Sequence, residues 1–107
     1  MLNQELSKTI EDIINSYRVL LFMKWIPELP ACWFSASAVA LLVDNDIYFE
    51  SFDIYGDEEI RQWVKEYSSW PTYPQLYIDG ELIGGVDIMM EMHESGELSE
   101  LKKQKNL

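Results

Sequence analysis

Trp70-Pro71-Thr72-Tyr73-Pro74-Gln75-Leu76-Tyr77-Ile78-Asp79-Gly80-Glu81-Leu82-Ile83-Gly84-Gly85-Val86-Asp87 carries the architecture of this chain in one run. Pro71 and Pro74 bracket a rigid turn. Leu76 and Ile78 then alternate with Gln75 and Tyr77, the period of a strand. Asp79-Gly80 turns the chain back into Glu81-Leu82-Ile83, and Asp-Gly between apolar alternations is a strong hairpin signal. Gly84-Gly85 closes the second strand. Asp87 is then read as the cap of a helix bearing Ile88, Met89 and Met92. Gly96 interrupts that helix, and a short helix or tail with Lys102, Lys103 and Lys105 follows.

Upstream the pattern changes. Leu6, Ile10, Ile13 and Ile14 form the stripe of an amphipathic helix that ends at Asn15-Ser16. Val19-Leu20-Leu21-Phe22-Met23 is a continuous apolar run, as expected of a buried central strand. An irregular loop holding Pro27 and Pro30 leads to a second helix with Phe34, Ala38, Leu41 and Leu42 on its inner face. Residues 47–52 alternate as a second strand. Asp57 caps a third helix with Ile60, Val64 and Tyr67 inward, and Glu58 and Glu59 suit its positive N-terminal end. A βαβ unit followed by a ββα unit predicts an α/β fold: a four-stranded mixed sheet with helices on both faces.

The whole chain reads as one domain. Its 107 residues leave no room for two cores. With 48% hydrophobic residues it is too apolar to stay disordered. One cysteine excludes an intrachain disulfide framework. A net charge of −11 argues against nucleic acid and anionic membrane as partners, both of which are bound through cations. No apolar run reaches the roughly 20 residues of a membrane span. The first residues lack the basic and apolar regions of a secretory signal and the Arg-rich character of a transit peptide, so a cytosolic or nuclear location is expected.

Few residues carry chemistry, and each has a plain structural alternative. Cys32 sits where the loop after the first strand enters a helix, so helix N–H groups and the dipole would stabilise its thiolate; a lone thiol is as commonly a buried apolar group. Pro74 opens a strand, and a cis bond there would bring the preceding backbone beside the Cys32 helix end. Gly84-Gly85 before a helix suits either a tight turn or an anion cradle. Lys24, Arg61 and Lys65 are three of only eight cations. Together they would make a carboxylate pocket in an acidic chain; singly they would be surface charges. His93 has no second His or Cys at ligand spacing and reads as a surface or capping residue. Trp63 and Trp70 read as core or pocket wall, whereas Trp25 and Trp33 fall where exposure is expected.

Taken together, Lys24-x-x-Pro27-Glu28-x-Pro30-x-Cys32-x-Phe34-Ser35, Asp57-Glu58-Glu59-Ile60-Arg61-Gln62, and the run from Glu66 through Asp87-Ile88 resemble a monothiol glutaredoxin. The match continues through Glu91 to Leu98, covers about residues 10–101, and is nearest to the PICOT-type glutaredoxin domains. The resemblance implies a thioredoxin fold, a cis Pro74 and a glutathione site. By that resemblance Lys24 and Arg61, with Lys65 nearby, face the glycine carboxylate. The backbone at Tyr73 pairs with the cysteinyl part, and Gly85-Val86-Asp87 receives the γ-glutamyl end. It also implies a [2Fe–2S] cluster bridging a homodimer, held by Cys32 of each subunit and two glutathione thiols, four sulfurs being the usual shell.

The chain departs from that family at the rim of the site. The signature Cys-Gly-Phe-Ser becomes Cys32-Trp33-Phe34-Ser35. Trp25-Ile26 replaces Gly-Thr, Ala31 replaces a basic residue, and Val86 replaces a frequent second cysteine. Three functions follow as expectations: cluster binding and transfer, glutathione-dependent thiol–disulfide exchange through Cys32, or a non-catalytic interaction domain.

Overall fold

The computed structural model describes residues 4–26, 29–30, 33–54, 57–70 and 72–107, with backbone alone at 25–26 and 29–30. Cys32 therefore lies outside the described residues, as do Pro27, Ala31, Pro71 and the side chain of Trp25. The first elements are α1 (Gln4–Asn15) and β1 (Val19–Met23), followed by β2 (Trp25–Ile26) and β3 (Leu29–Pro30). Next come α2 (Trp33–Asp44), β4 (Glu50–Asp53) and α3 (Glu58–Ser68). The chain closes with β5 (Gln75–Ile78), β6 (Glu81–Gly84), α4 (Val86–Ser95) and α5 (Glu97–Lys105).

The main sheet has the order β4-β1-β5-β6. β1 and β4 are parallel, with Leu21 opposite Ser51. β1 and β5 are antiparallel, with Leu21 opposite Leu76, and the β5–β6 hairpin is antiparallel as expected. All five residues of β1 are buried. Val19, Leu21 and Met23 join one core with Ala38, Leu42, Met89 and Leu98. Leu20 and Phe22 join the other with Ile10, Ile14, Ile60 and Val64. Side chains of a strand alternate between faces, so a wholly apolar strand demands helices on both. α2, α4 and α5 cover one face; α1 and α3 cover the other. This is the mixed sheet and two-sided helical cover read from the sequence.

Four details differ. The loop after β1 is expected to be irregular, yet Trp25 pairs with Pro30 and Ile26 with Leu29 in a small antiparallel ribbon. Proline is tolerated there because a two-stranded ribbon is all edge. The second strand begins at Glu50, not Ile47; the Ile47 amide bonds the Leu42 carbonyl at 3.0 Å and Asp46 has φ 59°, which keeps 46–47 in the turn after α2. In α2 the buried face is Ser35, Ala38 and Leu42, while Phe34 is exposed. Ser35 is drawn inward because its hydroxyl accepts the Lys24 amide at 3.2 Å. Finally, Gly85 and not Asp87 is the N-cap of α4; Asp87 lies in the first turn. The Asp57 cap holds, its carboxylate accepting the Ile60 amide at 3.1 Å.

Candidate functional site

The C-terminal end of β1, the start of α2, the inner side of α3 and the approach to α4 meet around one cavity of about 430 Å³. That size lies in the range of roughly 300–1,000 Å³ typical of small-molecule sites. Lys24, Arg61, Lys65, Tyr73, Pro74, Gly85, Val86 and Asp87 all line it. These are the candidate residues of the sequence apart from Cys32, which lies outside the described residues. Phe34, Trp70, Thr72 and Ile88 complete the wall. Thr72 and Ile88 carry no periodic signal of a site, and Phe34 looks apolar enough to be core; only their proximity to Pro74, Asp87 and Cys32 marks them.

Electrostatically the cavity is a cationic recess in an acidic chain. Three of its lining residues are cations and one is an acid. Among the described residues, only Arg61 of the three cations has a carboxylate partner, Glu58 at 3.1 Å. Glu58 is 77% exposed, so that pair is screened and weak, and an incoming carboxylate competes with it readily. Lys65 lies 5.9 Å from the centroid of the Tyr73 ring, a cation–π arrangement that steadies the ammonium at the cavity wall.

The opposite wall is the N-terminus of α4. Gly85 caps it without a side-chain hydrogen bond. The first amides of a helix have no intrahelical acceptor, so this end offers N–H donors and the positive end of the dipole to an anion. A Cβ on Gly85 would lie 3.4 Å from both the Pro74 carbonyl oxygen and the Trp70 Nε1, which shows how closely the 70–74 loop and α4 approach.

That loop is held from below by one buried amide. Gln75 Nε2 donates to the carbonyls of Trp70 (3.1 Å) and Thr72 (3.2 Å), and its Oε1 accepts from the Tyr77 hydroxyl at 3.2 Å. A buried amide is stable only when its donors and acceptor are used. The Tyr73–Pro74 bond is cis, as expected. The Tyr73 hydroxyl donates to the Arg61 carbonyl at 2.6 Å, tying the loop to α3. Burial pushes the Tyr73 phenol far above its ordinary value, with Tyr77 adding to the rise and Arg61 opposing it. Tyr77 is pushed up to about 12, again chiefly by burial. Both therefore act as neutral donors at physiological pH.

Trp33 is exposed, as expected, and stands outside the cavity lining. His93 is exposed on α4, with its Nδ1 3.0 Å from Asn45 Nδ2, which fits a surface role. Among the described residues no three His, Cys, Asp or Glu side chains converge as a metal site, and no helix is long and apolar enough to cross a membrane.

Comparison with known proteins agrees with this geometry. Residues 19–83 match the glutaredoxin family model. The chain is 49% identical over 102 residues to monothiol glutaredoxin-S11 of Oryza sativa subsp. japonica, an alignment covering 95% of this chain and 21% of that protein. The solution structure of reduced poplar apo GrxS14 superposes with a TM-score of 0.78 at 47% identity, covering 92% of this chain and 91% of that one. The buckwheat glutaredoxin–glutathione complex shares the fold, with a TM-score of 0.80 at 20% identity over 96% of each chain. The chain spans between 20% and 57% of the length of the curated relatives it matches. A sheet and helices superposable on glutaredoxins, together with near-half identity across almost the full chain, place it in the monothiol glutaredoxin family.

Proposed function

We propose that this chain binds glutathione in the cavity between α3, the 70–74 loop and α4, and that with Cys32 it serves iron–sulfur cluster binding and transfer. The observation that carries the reading is the charge layout of the cavity. Glutathione has two carboxylates and one ammonium. Lys24, Arg61 and Lys65 suit one carboxylate. The open N-terminus of α4 suits the other, with Asp87 in its first turn available to the ammonium. The main-chain groups of the 70–74 loop, held by Gln75, are available to the middle of the tripeptide.

The donor set fits a shared cluster. A chain with a single thiol supplies one sulfur, and two chains with two glutathiones supply the four that a [2Fe–2S] centre takes. The cluster would supply electron storage and a transferable iron–sulfur unit, while the residues described here hold the glutathione.

Calorimetry with reduced glutathione tests the core of the proposal. The parent should bind, and Lys24→Ala and Arg61→Ala should each weaken binding by roughly tenfold or more, the scale of a charge-assisted contact. A folded parent that takes up no glutathione would sink it. Anaerobic reconstitution with iron, sulfide and glutathione tests the cluster: a coloured dimer is expected, and a colourless monomer that still binds glutathione counts against the cluster alone.

One observation favours a second reading, thiol–disulfide exchange on glutathionylated proteins. Trp33, at the position where the Cys-Gly-Phe-Ser signature carries glycine, is a large exposed side chain next in sequence to Cys32. Two such indoles must be accommodated wherever two Cys32 thiols meet. In exchange, the Cys32 thiolate attacks the glutathione sulfur of a mixed disulfide, the protein thiolate leaves and is protonated, and a second glutathione thiolate releases oxidised glutathione. A glutathione-coupled reduction assay decides it: equal rates for the parent and Cys32→Ser remove this reading.

A further inference from the structure

Arg61 lines the recess, and its Nη1 donates to both oxygens of Glu58, at 3.1 Å and 3.3 Å. The pairing is local to α3. Asp57 caps that helix by accepting the Ile60 amide, and the Arg61 amide donates to the Asp57 carbonyl at 2.9 Å, so the first turn is closed. Residues three apart on a helix are neighbours on its surface. The helix itself therefore brings the Glu58 carboxylate to the guanidinium. The Arg61 side chain is 31% exposed and that of Glu58 77%. The guanidinium thus belongs to the cavity wall, while the carboxylate has room to swing into water.

We propose that Glu58 is a built-in competitor for the anion site. Its carboxylate and a ligand carboxylate claim the same guanidinium, so a ligand gains Arg61 only by displacing Glu58. One turn of α3 thus carries both an anion receptor and the brake on it. The inference rests on the glutathione reading above and extends it to what limits the affinity of that site.

The two claimants have the same chemistry. Glu58 offers Arg61 a carboxylate and so does glutathione, so binding exchanges one charge-assisted pair for another instead of adding one. What a ligand gains at Arg61 is the difference between the two pairs. Among the described residues Lys24 and Lys65 have no carboxylate partner, so their contacts with a ligand need no such exchange. The brake is mild. Water screens an exposed pair, so Glu58 lowers affinity without closing the site. It acts only on a ligand that brings a negative group to Arg61; a neutral group leaves the pair in place. Glu59 is the natural comparison. It lies on the same first turn with the same charge, yet among the described residues it makes no ion pair with Arg61.

Calorimetry with reduced glutathione tests it on the full chain, with circular dichroism to check the fold of each variant. Glu58→Gln keeps the size of the side chain and removes its charge. It should bind glutathione about two- to fivefold tighter, the scale of an exposed ion pair. Glu58→Ala, which removes the whole arm, should show the same gain, and Glu59→Gln a smaller one. In an Arg61→Ala background the gain from Glu58→Gln should shrink to the Glu59→Gln level, because a competitor for Arg61 then has nothing to hold. Glutathione esterified at its glycine carboxylate should bind the parent and Glu58→Gln equally. Glutathione affinities that are unchanged or weaker in both Glu58 variants overturn the competitor and leave the glutathione site standing. A gain that is matched by Glu59→Gln, survives Arg61→Ala or extends to the ester belongs to the general field of the acidic surface, and also overturns it. A folded parent and folded variants that all fail to take up glutathione overturn the glutathione reading, and the competitor with it.

Discussion

Gln75 shows how much one side chain can organise. It is fully buried on a central strand, opposite Phe22, yet it is polar. Its amide spans from the Tyr77 hydroxyl to two carbonyls of the 70–74 loop, so the sheet interior and the cavity wall share one hydrogen-bond network. Gln75→Leu would keep the volume and strand both carbonyls and the phenol. Stability should fall by about 1–3 kcal/mol, the cost of unsatisfied buried groups. Glutathione affinity should fall with it because the loop loses its anchor. Tyr77→Phe separates the two effects: it removes only the phenol contact, so denaturation should shift by about 1 kcal/mol while glutathione titrations remain unchanged.

Between elements, the β5–β6 turn and the end of α5 are joined through charge. Asp79 and Gly80 have φ of 50° and 82°, the left-handed pair expected of a tight Asp-Gly turn. The Asp79 carboxylate accepts from Arg18 at 3.3 Å and Lys105 at 3.1 Å, and Arg18 also donates to the Lys105 carbonyl at 2.7 Å. Those hydrogen bonds to Arg18 and Lys105 hold the Asp79 carboxyl below its ordinary value of 3.8. The folded chain therefore binds this proton less readily than the unfolded one. The stabilisation is complete above the unfolded value and is lost as pH falls through the lower folded value. Asp79→Asn keeps the left-handed turn and removes the charge. At pH 7 it should lower Tm by only a few degrees, since the group is exposed. Melts repeated toward pH 3 should show parent and variant converging; a gap that persists there would contradict the assignment.

Across the whole molecule, β1 is the beam on which two separate cores are built. Phe22 belongs to the α1/α3 side, with its ring 5.6 Å from Phe52 and 5.7 Å from Tyr77. Lys24 follows at the end of the same strand, so packing errors on β1 are passed directly to the cavity. Phe22→Ala should cost about 3–5 kcal/mol, a large share of the roughly 5–15 kcal/mol that holds a domain folded. Chemical denaturation should show a much lower midpoint, and glutathione should partly restore it, because a ligand bound only by the folded state raises its stability.

Residue order alone was enough for the sheet and the helices around it, because periodicity and turn chemistry are local; it left Lys24, Arg61 and Lys65 as either one pocket or separate surface charges. Val19–Met23 had to be central since every residue is apolar, and Asp79-Gly80 had to turn because few other pairs accept two positive φ angles. The small ribbon at Trp25 and Pro30, the late start of β4 at Glu50 and the inward turn of Ser35 were decided only by folding. The last two each rest on a main-chain hydrogen bond that no periodicity announces: the Ile47 amide to the Leu42 carbonyl, and the Lys24 amide to the Ser35 hydroxyl. The cap of α4 shifted from Asp87 to Gly85 for a related reason, since the chain enters that helix pressed against Trp70 and Pro74. Likewise, Lys24, Arg61 and Asp87 are far apart in sequence, and it is the packing of α3 and α4 against the end of β1 that brings three separate charges to the wall of one recess.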